Sequence, residues 1–532
     1  MKKPAVSPLW LFTGFFLAAM FLPRLVTMGM FGDGLLYASM ARNLAEGNGS
    51  LWAPFFSTGY FVDFASGNPY FENPPLMIWL QAGFFRLLGD PWWVEKLYAL
   101  LLFLLNAWLI VRVWEIPLRD TVFEKKYGWL PLLLWYIIPT VIWGNPNNLM
   151  DNNLLTFCLL ALGCALDGVF SGNKIWLKMT LAGVCVYLGF MTKGPVALYP
   201  VAAPFMFAAA GLTTSSRLTG SAKVPAQDLT TFQKLSNHRI FWGILQSTWI
   251  GLVAAGLFVL MLALIPDART YFENYWEKRL GVVISGARED AALTGWARLS
   301  IFAILAKELA GLIVVTLLVF FISGKKRTLT AHSDSEAVTQ SHRLTKNTRK
   351  ISLLFLLTGL SATLPLIASA RQSGMYIIAG LPMFALAAGY FCLPLLHHGL
   401  EKPGARTARF FERLRVFSIA AIFVLAGYVL FLFGKPGREK SLLHDLPYIQ
   451  KVIPKGEKVA VCDGLMKNLH AHTYLQRFHH LELTRDFATC RYALTDRNCD
   501  AEAQGILQQN GFERADNKTS GSTESHFIYL KK

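Results

Sequence analysis

Residues 31–75 read FGDGLLYASMARNLAEGNGSLWAPFFSTGYFVDFASGNPYFENPP, directly after a first apolar run at 8–28. The stretch is polar enough for water and aromatic enough for a membrane surface. It opens on one carboxylate, Asp33, and closes on another, Glu72, against the stiff Pro74-Pro75 pair. Leu35, Leu36, Ala38, Met40, Ala41, Leu44 and Ala45 fall near helical spacing. That pattern predicts a short amphipathic helix over 34–46, lying at the interface.

Working outward, the 532 residues are 53% hydrophobic and 16% charged, with a mean hydropathy of +0.38. A soluble chain would carry about a quarter charged residues. The composition therefore excludes an ordinary soluble protein and indicates a polytopic α-helical membrane protein. Apolar stretches suited to a bilayer lie near 8–28, 93–115, 128–144, 151–170, 175–192, 195–212, 242–264, 299–322, 351–369, 375–395 and 415–433. These make about eleven transmembrane helices. Lys2-Lys3 precede the first, which lacks a small-residue cleavage site and reads as a retained helix.

The net charge of +17 resides in loops between these spans, which points to basic cytoplasmic loops and not to nucleic acid. Lys325, Lys326, Arg327, Arg343, Lys346, Arg349 and Lys350 mark 323–350 as an inside loop. The loops at 112–127, 213–240 and 396–414 and the N-terminus carry the same sign. Parity then requires that 74–90 does not cross. It becomes a half-buried or juxtamembrane helix, and 29–92 becomes an external loop. Asp33, Arg42, Glu72, Asn73, Asn145, Asn147, Asn148, Asp151, Lys193, Arg371 and Tyr376 all fall on that outer side. The inner side has charge but no comparable gathering of carboxylates.

From about 440 the chain reads as a small soluble α/β unit, giving domains at 1–437 and 438–532. KVAVCDG (458–464), RYALTD (491–496) and HFIYL (526–530) are expected strands, and 516–525 a loop. Cys158, Cys164, Cys185 and Cys392 lie in apolar spans as small core residues. Cys462, Cys490 and Cys499 in the tail have no metal-like spacing.

Asp33 between Gly32 and Gly34 has the freedom to face a cavity as a general base or metal ligand. Aspartate is equally at home as the N-cap of the helix that follows. Glu72 before Asn73-Pro74-Pro75 is placed for a cavity mouth or for capping 74–90. Asp151 opens an apolar span, marking either the interface or a functional site at membrane depth. Lys193, Arg371 and Arg42 suit a phosphate or diphosphate, with a snorkelling anchor the plainer role for Lys193. No Walker loop, Gly-x-Ser-x-Gly, CxxC or HxxxH pattern occurs.

With these residues assembled, the chain resembles the membrane glycosyltransferases of the GT-C fold. It is most similar to bacterial relatives of protein O-mannosyltransferases and of lipid A aminoarabinose transferases. The first-loop motifs of that family are matched by Asp33-Gly-Leu-Leu-Tyr37-Ala-Ser-Met-Ala41-Arg42-Asn43 and by Tyr70-Phe71-Glu72-Asn73-Pro74-Pro75. Asp151, Thr192-Lys193-Gly194 and Arg371 with Tyr376 follow in the family order, so the likeness covers roughly 8–395. Three departures stand out. Asn73 replaces the usual lysine, leaving Arg42 or Lys193 to supply that charge. Asp33 is a lone acid instead of a pair. The later external loop, YFENYWEKRLG (271–281), offers Glu273, Glu277, Lys278 and Arg279 but no metal-binding histidine.

The resemblance implies transfer of one sugar from a polyprenyl-phosphate donor to a lipid, glycan or protein acceptor outside the cytoplasmic membrane, by inverting displacement. Asp33, Glu72 and Asp151 would form the catalytic set. Arg42, Tyr37, Asn73, Lys193, Arg371 and Tyr376 would bind substrate and carrier phosphate. A divalent ion, if used, would be Mg²⁺ or Mn²⁺ on oxygen ligands, with Asp33 and Glu72 as candidates. A transporter or flippase of a lipid-linked sugar, or an inactive relative in envelope assembly, are the rival readings. Transporters usually place polar sites at the midplane between repeated halves, and neither feature is evident here.

Overall fold

The computed structural model describes residues 7–59, 69–119, 121, 123–212, 229–282, 298–327, 335–369, 372–400, 405–515 and 525–531. All eleven apolar stretches are helical. In chain order they give α1 (Pro8–Leu25), then α2 (Gly32–Ala45) and α3 (Leu76–Leu88) from the first loop, and α4 (Val94–Glu115). α5 (Trp129–Tyr136), α6 (Pro139–Gly144), α7 (Met150–Ser171), α8 (Ile175–Lys193) and α9 (Ala203–Ala209) follow. Next come α10 (Leu229–Leu264), the short α11 (Pro266–Tyr275), α12 (Ser300–Arg327), α13 (Ser335–Thr363), α14 (Leu381–Leu400) and α15 (Ala405–Leu432).

Among the described residues, eight helical segments are long and apolar enough to cross a membrane. Their outer surface is apolar: Phe423, Val424 and Leu430 of α15 are 74%, 74% and 75% exposed, as lipid-facing side chains are. α3 is only 13 residues long, short of the roughly 20 that a bilayer requires.

The stretch 128–144 is two helices, because Pro139 cannot donate to the turn before it. The donor exposed at that break is satisfied from another span, as the Thr140 backbone N–H donates to Glu308 Oε2 at 2.8 Å. The runs 175–192 and 195–212 are two separate segments: after Lys193 Gly194 takes φ +72° and the chain folds back, so that a Cβ at Gly189 would lie 3.0 Å from Ala197 Cβ. A 3-10 run, Gly194–Ala202, leads into α9.

α2 corrects the expectation of an interfacial helix. Gly32 and every residue from Gly34 to Asn43 are buried. Its small side chains, Gly34, Ala38, Ser39 and Ala41, let neighbours approach from all sides. α3 packs on one side and the C-terminal unit on another. The C-terminal part of that cover comes from residues more than 400 positions away, which no local pattern reveals.

The C-terminal unit holds α16 (Lys440–Val452), α17 (Asp463–Lys467), α18 (Leu469–His479) and α19 (Asp500–Gln509). The first loop contains a small hairpin of β1 (Gly49–Ser50) and β2 (Ala53–Pro54). The C-terminal sheet has β3 (Lys458–Val461), β4 (Glu482–Thr484), β5 (Tyr492–Asp496), β6 (Phe512–Arg514) and β7 (His526–Lys531). Its strand order is β4-β3-β5-β7-β6. β3 is parallel to β4 and β5, in register Val459 with Tyr492; β7 is antiparallel to β5 and β6. Val459, Ala460, Val461, Leu494 and Ile528 form its core. The three expected strands are present; β4 and β6, at three residues each, are too short for alternation to reveal. A disulfide joins Cys462 at the end of β3 to Cys499 before α19.

Two distant segments of the membrane domain pair. Met28 N donates to Lys435 O at 2.8 Å, and Gly437 N to Met28 O at 3.0 Å. The chain leaving α1 for α2 is thereby held against the chain leaving α15.

Candidate active site

The site begins at the first turn of α2. Phe31 is the N-cap and makes no side-chain cap, so Asp33 sits inside the helix and is not the cap residue. A carboxylate there is favoured by the helix dipole. Gly34 is required, but not for a ligand: a Cβ would lie 2.1 Å from the backbone oxygen of Asn147. The asparagine-rich turn is the neighbour that needs the space. Phe31 N donates to Asn147 Oδ1 at 2.9 Å, and Asn148 Nδ2 donates to Gly34 O at 2.9 Å. Asn148 adopts φ +52°, which asparagine tolerates better than most residues. This turn leads into α7 and places Asp151 in its first turn.

Asp151 is 3% exposed, and its Oδ2 lies 2.5 Å from Lys193 Nζ at the end of α8. Its Oδ1 is buried with no hydrogen-bond partner among the described residues. Lys193 also stands 5.0 Å from the ring centre of Tyr376. It is thus a paired, mostly covered cation and not a snorkelling anchor. The Gly194 turn brings Tyr275 of α11 against the same corner.

The second motif closes the other side. Glu72 does not cap α3, whose N-cap is Pro75 without a side-chain bond. It faces Arg279, with an Oε2–Nη1 separation of 3.7 Å. Asn73 Nδ2 donates to the Tyr70 hydroxyl at 2.8 Å, and its backbone oxygen accepts from Tyr271 at 2.6 Å. Burial lowers the pKa of Arg279, but Glu72, Tyr376, Tyr70 and Tyr275 outweigh it and hold the guanidinium above its ordinary value.

Tyr37 ties the parts together. It lies one helical turn after Asp33, on the same face. Burial drives its hydroxyl pKa well above normal, and Tyr70, Asp33, Asp151 and Glu72 push it further. Three carboxylates from three chain segments therefore act on one phenol. Its ring meets Tyr70 edge-on at 6.5 Å. Asp151, Lys193 and Tyr376 stand together, Glu72 and Asn73 lie with Arg279 and Tyr70, and the charges of Asp33, Glu72 and Asp151 all reach Tyr37.

Arg42 is not among these residues, which corrects its assignment to substrate phosphate. It follows Asp33 by nine residues, which at 100° per residue is about half a turn away around α2. It is 1% exposed and donates to Gln476 O at 2.9 Å, Arg477 O at 3.2 Å and Gln476 Oε1 at 3.1 Å. Its role is to bind α2 to α18. Arg371 lies outside the described residues. Its neighbour Gln372 accepts from Ser300 Oγ at 2.8 Å and donates to Arg298 O at 2.7 Å, fixing the turn before Tyr376.

Arg279 is the site residue that sequence reasoning undervalued. It was read only as part of a loop lacking a histidine. The one sequence signal toward it is Asn73, where the resemblance leads one to expect a lysine.

Asp33 and Glu72 belong to no group of three or more candidate metal ligands among the described residues. Among the described residues, such groups of His, Cys and carboxylate side chains are Cys462-Asp496-Cys499, whose two cysteines form the disulfide, and Glu46-Asp90-His480. Neither contains Asp33 or Glu72, and Glu72 already faces a guanidinium.

The family model for dolichyl-phosphate-mannose-protein mannosyltransferases matches residues 72–223, a segment that carries Glu72, Asn73, Asp151 and Lys193. No curated protein matches the chain. Among solved structures, the chain is similar to ArnT from Cupriavidus metallidurans bound to undecaprenyl phosphate. That match has a TM-score of 0.55 at 13% identity, covering 98% of this chain and 97% of that one. An oligosaccharyltransferase from Archaeoglobus fulgidus is a looser match, with a TM-score of 0.43, 13% identity and coverage of 92% and 70%. The chain has the GT-C fold of the membrane glycosyltransferases.

Proposed function

We propose that this protein transfers a single sugar from a polyprenyl-phosphate donor to an acceptor on the outer face of the cytoplasmic membrane. The observation that carries the reading is the pairing of Asp151 with Lys193 at 2.5 Å and of Glu72 with Arg279 at 3.7 Å, with the charges of Asp33, Glu72 and Asp151 all acting on the Tyr37 phenol. Carboxylates to receive a proton and cations to receive a phosphate then share one site. A structure of the same fold holds undecaprenyl phosphate, which supports a polyprenyl carrier.

In the reaction, the acceptor oxygen bonds to the anomeric carbon as the bond from that carbon to the phosphate oxygen breaks. Asp33 takes the acceptor proton, which raises the nucleophilicity of the oxygen. The leaving polyprenyl phosphate keeps the electron pair, and its growing charge is met by Lys193 and Arg279. Tyr376 holds Lys193 by a cation–π contact. Glu72 and Asp151 hold the two cations in place until the phosphate competes for them. Attack opposite the leaving group inverts the anomeric centre.

The site is assigned to the outer side by loop charge. The Cys462–Cys499 disulfide supports this, since such bonds persist in oxidising compartments. On this reading, 1–437 is the membrane-embedded catalytic domain and 438–532 an extracytoplasmic domain.

The test uses membranes containing wild-type or Asp33→Asn protein, supplied with a panel of polyprenyl-phosphate sugars. Free polyprenyl phosphate is followed by mass spectrometry. Release from one donor that depends on Asp33 is expected. No release from any donor, with native acceptors present, would overturn the proposal in favour of a transporter.

A further inference from the structure

A second surface lies beside Asp33, away from the Lys193 and Arg279 pairs. It is built where the two ends of the membrane domain meet. The backbone pairing of Met28 with Lys435 and Gly437 sets the register between the two segments. That register brings Arg438 over the ring of Phe31, with the guanidinium carbon 5.3 Å from the ring centre. Phe31 is also met edge-on by Trp143 at 5.1 Å and by His470 at 5.8 Å. Gly32 packs against Leu469 and His470, so the shelf reaches the residue next to Asp33. All four side chains are half-buried, as suits groups that still have one face to offer.

Arg438 is the informative member. Among the described residues it makes no ion pair and no hydrogen bond. Its neighbour Glu439 takes φ +46° and points instead to His470, with Oε1 3.5 Å from Nδ1. Left-handed backbone at a glutamate is strained and has to be imposed by its surroundings. The result is a flat cation fixed on an aromatic ring, with its in-plane N–H donors unused. Arginine in that state suits bidentate recognition of phosphate or carboxylate. The aromatic edges beside it suit the apolar face of a sugar ring.

We propose that Arg438, Phe31, Trp143 and His470 form the acceptor-binding surface, and that it takes a glycan bearing an acidic group, phosphate or carboxylate. This rests on the transferase reading given above. The acidic group would lie on Arg438, and the neighbouring sugar on the rings. The nucleophilic hydroxyl would then reach Asp33, two residues along the chain from Phe31. The C-terminal unit contributes His470 directly, so it is part of the acceptor surface and not only a cap.

The test measures binding and needs no turnover, so it can fail independently of the transferase reading. The full chain is placed in nanodiscs of phosphatidylcholine, which has no net charge. Glucose 1-phosphate, glucuronate and glucose are compared by saturation-transfer NMR. At least one acidic sugar should give a signal about fivefold above glucose. Arg438→Gln should remove that excess and Arg438→Lys should restore part of it, whereas Arg279→Gln should leave at least half. The two arms distinguish a phosphate-bearing acceptor from a uronate. Equal signals from all three sugars would overturn the proposal. So would an excess that survives Arg438→Gln, or one lost only in Arg279→Gln, since the acidic sugar would then occupy the donor-phosphate site.

Discussion

Lys193 Nζ lies 2.5 Å from Asp151 Oδ2, joining the end of α8 to the start of α7 where both helices meet the first loop. Asp151 is almost wholly buried, and Lys193 is the cation paired with it. Lys193→Ala should destabilise the protein by about 3 kcal/mol, because it strands a buried carboxylate. Pairing it with Asp151→Asn should recover most of that loss, since the carboxylate is neutralised with its partner. Sugar transfer should remain low in the double variant. Thermal unfolding in detergent and polyprenyl phosphate release, measured together, check both halves. Equal stability of the single and double variants would refute the coupling.

The C-terminal unit is docked by another buried group. Arg477 is 1% exposed and donates to Glu95 at 2.8 and 3.2 Å, to Asp90 at 2.6 Å and to Pro91 O at 2.8 Å. Burial alone would raise the pKa of Asp90, but the hydrogen bond from His480 and the charge of Arg477 hold it below its ordinary value. A depressed carboxyl pKa stabilises the docked state above the unfolded-state value near 4, and that contribution is lost as pH falls through the lower folded value. Hydrogen exchange in α18 should therefore speed up below about pH 4. Asp90→Asn should abolish that pH dependence. An unchanged exchange profile in Asp90→Asn would count against it.

How much of this was legible beforehand varied with the reach of the signal. Apolar runs and loop charge are local: the apolar stretches are helical, and eight helical segments among the described residues are long enough to cross a membrane where about eleven were expected. The Asp33, Glu72, Asp151 and Lys193 motifs are short but ordered, and the fold gathers them. Arg42 misled because its residue type suits phosphate, while its phase on α2 opposes Asp33. Helical phase separates the two, since nine residues place Arg42 about half a turn from Asp33. The partners of Arg42, Gln476 and Arg477, lie more than 430 residues away, and no local pattern could name them. Arg279 shows the same limit: its value depends on Glu72, which is distant in sequence.

The Cys462–Cys499 bond was another long-range feature, since an odd number of tail cysteines fixes no pairing. It closes a loop with a separation of 37 residues. Removing such a link should cost the C-terminal unit about 3–4 kcal/mol. Cys462→Ser, or reduction of the wild type, should lower the melting temperature to the same extent. Cys490 is buried and outside the bond. Its substitution by alanine should leave the reductant response intact. A melting curve insensitive to reductant would show that the bond does not stabilise this unit.

Arg279 stands close to the motif position where related sequences are expected to carry a lysine and this chain has Asn73. Asn73 and Arg279 are linked through Tyr70: the asparagine donates to its hydroxyl, and the arginine charge acts on it. A cation from another segment thus stands beside Asn73 and Glu72. Arg279→Gln should weaken undecaprenyl phosphate binding about tenfold, the loss of one charge-assisted contact. Adding Asn73→Lys should return much of that affinity, because the ammonium would enter the same corner of the site. Asn73→Lys alone should change binding little, with Arg279 already in place. Binding measured by titration in nanodiscs distinguishes these cases. If Arg279→Gln binds normally, or Asn73→Lys fails to rescue it in a folded protein, the two positions do not serve one phosphate.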